Sequence, residues 1–273
     1  MKSYLLAFCV LFWVGLCFGQ ESDHFSFNGN YVTFGLSLPI VKYLDKGHSP
    51  NLYKGSSGLM ITGSFFSATP RVRSKISFSY IFCSLSNRRK EISYPSNSAY
   101  SNFVVKYSLG FRAYDEHNLG YYLGPSLLVG FANNQYENLK SNNAFAFEGK
   151  ISLGLEGEGL FRLVAKPKQL VLTTNHNLSL LTWSCRPNWT TMMPFDGIQP
   201  KFSPLRLLSD GRLVTFNKFF DVQQQIGLLL RNENTRNFIG AQHQYYYSRN
   251  FSAPHNLYTG LQSIGLIGGL IYR

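Results

Sequence analysis

Charge is scarce in this 273-residue chain: Asp, Glu, Lys and Arg make up only 15% of it, against about 25% in an ordinary soluble domain. Acidic residues are scarcer still, 14 against 26 Lys and Arg, which leaves a formal charge of +12. There are four cysteines, too few for a disulfide-dense scaffold. No long apolar run follows the N-terminus, and mean hydropathy is −0.10, which excludes a polytopic helical membrane protein. No repeat of fixed length, linker or low-complexity segment breaks the chain. Aromatics, by contrast, are abundant: 23 Phe, 17 Tyr and 3 Trp, together 16%. A disordered chain would be poor in them and rich in charge.

The first residues read as a targeting segment. One cation, Lys2, precedes a fifteen-residue apolar run from Tyr4 to Phe18. Cys17 and Gly19 then supply small residues at −3 and −1 of a cleavage site before Gln20. That is the layout of a secretory signal peptide, residues 1–19, and the run falls short of the roughly 20 residues of a spanning helix. An uncleaved anchor is the alternative. Leu16 sits where a lipoprotein site at Cys17 would want a small residue. Cleavage removes Lys2, Cys9 and Cys17, so the charge falls from +12 to +11. Cys83 and Cys185 then remain in a compartment that permits oxidation.

Residues 20–273 read as one domain written in period two, the pattern of strands with two unlike faces. From Ser101 to Arg112, Phe103, Val105, Tyr107, Leu109 and Phe111 alternate with Asn102, Lys106, Ser108, Gly110 and Arg112. From Ala144 to Glu156, Phe145, Phe147, Ile151, Leu153 and Leu155 alternate with Glu148, Lys150, Ser152 and Glu156. Ile76, Phe78, Tyr80 and Phe82 alternate with Lys75, Ser77 and Ser79. No such window shows the spacing of an amphipathic helix. Weaker strands span Phe25–Leu38, Gly58–Ser67, Leu119–Phe131, Leu170–Trp183, Arg212–Leu230, Phe238–Ser248 and Asn256–Tyr272, making ten. Arg212–Leu230 reads as one long strand or as two with a bulge, and Ala144–Val164 shares that ambiguity around Gly157-Glu158-Gly159.

Connections alternate in length. TPRVR, AYDEHN, AKPKQ and RNENTRN are short; Pro39–Ser57, Cys83–Tyr100, Ala132–Asn143, Ser184–Gly211 and Arg249–His255 are longer. Short turns at one end and long loops at the other describe an outer-membrane barrel. The fold expected is therefore all-β: a closed, antiparallel, up-and-down transmembrane barrel of about ten strands (8–12). In lipid only closure removes the unpaired strand edge. Tyr31, Tyr107, Tyr121, Tyr122, Trp183, Tyr245–Tyr247, Tyr258 and Tyr272 are candidates for interfacial girdles. The competing architecture is a secreted β-sandwich. Leu257–Ile271 makes a poor membrane helix, with Gln262, Thr259 and four glycines, and a better closing strand.

The signal before Gln20, the Asn/Gly/Tyr/Phe-rich alternating strands and the terminal strand SIGLIGGLIYR together resemble the outer-membrane β-barrel proteins of Bacteroidetes-like Gram-negative bacteria, barrels of porin-like and OmpA-like type. The resemblance implies an outer-membrane location and a last strand offered to the barrel-assembly machinery. There the aromatic is Tyr272, next to last, and Arg273 closes the chain. The resemblance implies no activity.

Candidate chemistry concentrates inside the barrel. In the registers above, Lys75, Lys106, Arg112, Glu148, Lys150, Asp221 and Arg231 point inward, as a narrow conduit for an anionic solute or as a salt-bridged plug. Arg88-Arg89-Lys90 in an outer loop are placed to meet lipopolysaccharide phosphates; Arg71, Arg73, Lys166 and Lys168 fall in the proposed turns at the other end. Cys83 and Cys185 each open an outer loop and would join as a disulfide if their Cα atoms come within about 7 Å. A rim hydrolase acting on lipid or peptide is the alternative function. Its material is His176 with Asn175, Asn177 and Ser179, or Asp45 with His48, or Asp196 with Asp210. His-x-x-Ser, however, places its two members on opposite faces of a strand. No catalytic residue is assigned. The six histidines are scattered without metal-ligand spacing, so neither metal nor cofactor is expected. Nucleic-acid binding lacks a basic, aromatic platform. Asn177, Asn188 and Asn250 begin N-x-Ser/Thr triplets, meaningful only in a eukaryotic secreted chain. The functions expected are a non-enzymatic conduit or scaffold, or a surface recognition module whose loops, with Trp189, Phe195 and Phe202, bind an unidentified ligand.

Overall fold

The computed structural model describes residues 29–46, 52–69, 71–87, 97–116, 118–136, 145–164, 168–185, 211–232, 237–251 and 257–272. All regular structure among them is strand: β1 (Gly29–Asp45), β2 (Tyr53–Ala68), β3 (Val72–Ser86), β4 (Asn97–Glu116), β5 (Leu119–Tyr136), β6 (Phe145–Val164), β7 (Lys168–Cys185), β8 (Arg212–Thr215), β9 (Phe219–Asn232), β10 (Asn237–Asn250) and β11 (Leu257–Tyr272). From β1 to β8, and again from β9 to β11, each strand pairs antiparallel with its chain neighbour; β9 pairs with β7, and β1 pairs with β11 from Asn30↔Tyr272 to Asp45↔Leu257, closing the sheet on itself. The signal segment, the start of the first expected strand at Phe25 and the long connections lie outside the described residues.

The wall has ten staves, because β8 and β9 share one. Both pair with β7: β8 with Leu181–Ser184, β9 with Lys168–Leu178. Between them a turn at Phe216–Lys218 interrupts the ladder, held by the Phe216 amide donating to the Leu180 carbonyl (3.0 Å) and the Lys218 amide donating to that of Thr215 (2.9 Å). The long segment Arg212–Leu230 is thus two pieces, whereas Phe145–Val164 runs unbroken through Gly157-Glu158-Gly159.

Proline and glycine fall where backbone chemistry demands them. The β1–β2 register slips between Ser37 and Val41, around Pro39, which has no N–H to give a ladder. At the closing seam, a Cβ on Gly265 would lie 2.1 Å from the Leu36 carbonyl and 2.2 Å from Ser37 Oγ. Only glycine lets the two edges meet that closely.

Period-two alternation resolves into outside and inside. Along β1 the outward set is Val32, Phe34, Leu36, Leu38 and Ile40, all exposed; it stops at Lys42. That run of about nine residues matches a tilted strand crossing a bilayer. Similar stripes appear on β3 (Ile76, Phe78, Tyr80, Phe82), β6 (Ile151, Leu153, Leu155) and β11, where Ile264 and Leu266 are 69% and 65% exposed. Among the described residues the most exposed apolar side chains therefore lie on an outer belt, the reverse of a sandwich, whose apolar faces press together.

The inside is filled in layers. Towards the long-loop end, Val41, Tyr43, Tyr53, Met60, Ile81, Cys83, Leu85, Tyr100, Tyr136, Tyr246, Leu257 and Leu261 pack together. Tyr43 lies on Tyr100 and Tyr53 on Tyr136, each pair with ring centroids 5.4 Å apart. Towards the short-turn end, Tyr31, Phe66, Ala68, Tyr122, Leu160, Val171, Phe238 and Ile271 form a second layer. Tyr31, Tyr122 and Tyr246 are therefore interior residues and not girdle residues; each sits on the inward parity of its strand. Tyr107, Tyr121, Tyr245, Tyr247 and Tyr258 do face outward.

A cation on the outer belt measures what that belt touches. Leu266→Arg is expected to cost about 2–4 kcal/mol of unfolding free energy in lipid vesicles, as for a cation at the middle of a lipid face. In water such a surface change would stay within about 0.5 kcal/mol. Equilibrium denaturant unfolding in vesicles reads the difference.

Candidate functional site: a filled, ion-paired lumen

Between the two aromatic layers lies a polar band whose side chains tie staves together across the interior. Its centre is Glu156 of β6. Lys106 Nζ of β4 stands 2.6 Å from Glu156 Oε2, and Lys75 Nζ of β3 stands 3.6 Å from Oε1. Asn175 of β7 completes the group: its amide donates to Glu156 Oε1 (2.5 Å) and its carbonyl oxygen accepts from Lys106 (3.3 Å). Four staves thus meet at one carboxylate.

A second group sits nearer the long-loop end. Lys150 of β6 pairs with Asp221 of β9, which is fully buried. Lys150 also donates to the Tyr246 hydroxyl of β10 (2.6 Å), and that hydroxyl donates to Asp221 Oδ2 (3.2 Å). Above it the Asn250 amide donates to Glu148 (3.2 Å) and to Ser184 Oγ (3.1 Å). At the opposite end Arg73 meets Glu158 at 2.9 Å, and its guanidinium lies 4.8 Å from the Phe66 ring centroid, 5.7 Å from that of Tyr31 and 5.9 Å from that of Tyr122. Uncharged ties add to these. Gln242 of β10 accepts from Gln225 (2.8 Å) and donates to Ser37 Oγ (3.3 Å) and Thr62 Oγ1 (3.2 Å); Asn177 donates to Ser126 Oγ (2.6 Å). Room for Gln242 comes from Gly35, whose Cβ would lie 2.8 Å from the Gln242 amide nitrogen.

The seven charges expected inside fall as follows. Lys75, Lys106, Glu148, Lys150 and Asp221 are buried and point inward, in the contacts just given. Arg112 and Arg231 take the inward parity of β4 and β9 but are only half-buried. Pattern reading missed four members. Arg73, which reads in the sequence as a turn residue, is the first inward residue of β3, in phase with Lys75. Glu158 falls in a Gly-Glu-Gly that alternation alone leaves ambiguous. Asn175 and Asn177 drew notice only as neighbours of His176, although alternation alone puts them on the inward stripe.

No disulfide joins Cys83 to Cys185. Both side chains are buried, Cys83 inside β3 opposite Gly58 and Tyr100, Cys185 at the end of β7 opposite Gly149. With β4, β5 and β6 between them, four inter-strand steps of about 4.8 Å each carry them beyond the reach of an S–S bond. The Cys83 thiol donates instead to the Ser84 carbonyl (3.5 Å).

Among the described residues the hydrolase candidates do not assemble. His176 faces outward, opposite Gly157 and Gln224, while Ser179 is buried on the inward stripe. Asp45 is buried at the upper end of β1, accepting from the Tyr43 hydroxyl at 3.5 Å. His48, Asp196 and Asp210 lie outside the described residues, as do Arg88–Lys90, Lys166 and the loop residues Trp189, Phe195 and Phe202. Arg71 stands in the turn before β3, and Lys168 is exposed at the start of β7. Among the described residues no three His, Cys, Asp or Glu side chains gather as a metal site.

What this interior does is hold. Removing one partner of a buried pair costs about 3–5 kcal/mol, because an uncompensated charge stays behind. Glu156→Gln leaves both Lys106 and Lys75 in that condition, so a loss of about that size is expected in equilibrium unfolding. Adding Lys106→Met to Glu156→Gln should restore part of it; a double variant as unstable as the sum of its parts would remove the coupling.

No family model and no curated protein matches this sequence. Solved structures similar to it in fold include the outer-membrane protease OmpT from Escherichia coli, at 8% identity and TM-score 0.47, covering 93% of this chain and 99% of that one. Ail, the attachment invasion locus protein of Yersinia pestis, is similar at 9% identity and TM-score 0.35, covering 89% and 99%. The translocator domain of the autotransporter NalP from Neisseria meningitidis is similar at 10% identity and TM-score 0.38, covering 95% and 92%. All three likenesses are of strand architecture alone.

Proposed function

We propose that this chain is an integral outer-membrane barrel whose sealed interior serves as a rigid, non-enzymatic scaffold for the loops at one rim. The observation that carries this reading is the filled lumen. Two aromatic layers stop it at either end, and most of the inward charges of the polar band between them are paired with each other. A conduit would need inward charges left in contact with a continuous water path. The outer belt supports a bilayer setting, because hydrocarbon is the medium in which exposed Ile264, Leu266 and Leu38 cost nothing. In this reading residues 1–19 are a cleaved signal peptide, and the last strand, β11, is presented to the barrel-assembly machinery as in Bacteroidetes-type barrels. Arg88-Arg89-Lys90 would lie against lipopolysaccharide phosphates. The segment 186–211 offers the longest stretch for recognising a surface ligand. A rim hydrolase finds no support in the placement of His176 and Ser179.

Two outcomes follow. In planar bilayers the purified protein is expected to give no stepwise conductance; regular steps whose size scales with salt would contradict a sealed lumen. Replacing residues 188–208 with a short turn is expected to leave the barrel folded, as read by SDS resistance before heating. Loss of that resistance would mean the segment builds the barrel and is not carried by it.

A further inference from the structure

The polar band holds two chambers, and their linings differ in charge. The one nearer the short-turn end, about 60 Å³, is lined by Arg73 and Lys75 together with Glu158, so a carboxylate shares the space. The other, about 90 Å³, is lined by Lys75 and Lys106; among the described residues no Asp or Glu lines it. The rest of its polar lining is neutral and includes the hydroxyls of Thr62, Ser77 and Ser79 and the amide of Asn102. Both lysines are buried, and both lean on the single carboxylate of Glu156, at 2.6 and 3.6 Å. Two ammonium groups against one carboxylate leave one positive charge unbalanced beside this chamber. An ammonium so buried is costly unless an opposite charge and hydrogen bonds meet it.

We propose that this larger chamber binds a small inorganic anion, a halide or an anion of similar size, between Lys75 and Lys106. Each lysine has three N–H donors, of which Glu156 and the Asn175 carbonyl oxygen take only part; the hydroxyls and the Asn102 amide supply neutral donors to the same space. Charge-assisted hydrogen bonds of this kind are the strong ones. The volume sets the class, since pockets for drug-sized organic ligands run to about 300 Å³ and more. The anion balances the interior charge and is not carried through it, so the site is independent of any conductance result.

The test uses the full folded chain in detergent, crystallised with sodium bromide and measured at the bromine absorption edge. The expected result is an anomalous peak inside the barrel within hydrogen-bond reach of Lys75 or Lys106, absent from Lys106→Met and from Lys75→Met. Should either variant fail to fold, Ser79→Ala combined with Asn102→Leu keeps both charges and is expected to weaken chloride binding at least tenfold in chloride-35 line broadening. The proposal is overturned by a wild-type interior without a bromide peak, by peaks at the rim alone, or by an interior peak or chloride affinity that these substitutions leave unchanged.

Discussion

A strand edge has nowhere to end in hydrocarbon. Each unpaired N–H or C=O there costs several kcal/mol, and the structure is organised around paying none of it. The β1–β11 seam supplies the closure, with residue partners from Asn30↔Tyr272 to Asp45↔Leu257. Everything else follows from a sheet that must meet itself. The stave number is even in its effect, so both ends of the described chain lie at the short-turn end. Gly265 is small because two edges converge on it. The one broken stave, β8 with β9, breaks near the long-loop end, where its lower part already carries the ladder to β7 and β10.

Closure creates the second problem, which is what to put inside. A barrel of this size is close to the width that side chains alone can fill. Here the filling is stratified, tyrosines above, tyrosine and phenylalanine around Arg73 below, and ion pairs between. The aromatic layers lie on either side of the pairs, and the pairs meet one another's charge across the lumen. Bridges such as Lys106–Glu156 and Lys150–Asp221 skip over intervening staves, so they brace the wall across its interior as well as along its hydrogen-bond ladder. Buried pairs of this sort are poor evidence for added stability but good evidence for a fixed arrangement.

Much of this was legible in the residues. Alternation in 74–82, 101–112 and 144–156 gave the right faces because a strand's period leaves no freedom: every second side chain must share a side. Loop-length alternation gave the orientation of the staves. Where reading failed, a neighbour in space and not in sequence was responsible. Arg73 looked like turn charge until Glu158, 85 positions on, was placed beside it. Tyr31, Tyr122 and Tyr246 carry the composition of a girdle, and only their parity shows that they face inward. Cys83 and Cys185 suggested a staple because each ends near a loop; their separation around the wall is a property of closure that no local pattern encodes. Asn175 and Asn177 were hidden by the histidine between them, although the same parity that sends His176 outward sends both of them in.

The medium that the outer belt touches decides between a membrane barrel and a water-soluble one. Spin labels placed one at a time from Ile76 to Phe82 on β3, in the protein folded into vesicles, measure it directly through collision with oxygen, which enriches in lipid, and with a water-soluble nickel chelate. Labels at Ile76, Phe78, Tyr80 and Phe82 should show high oxygen and low nickel accessibility, alternating with labels at Ser77, Ser79 and Ile81 that are shielded from both. Outward labels open to nickel along the whole stretch, or no alternation between odd and even positions, would mean that the belt faces water or protein and would contradict the account.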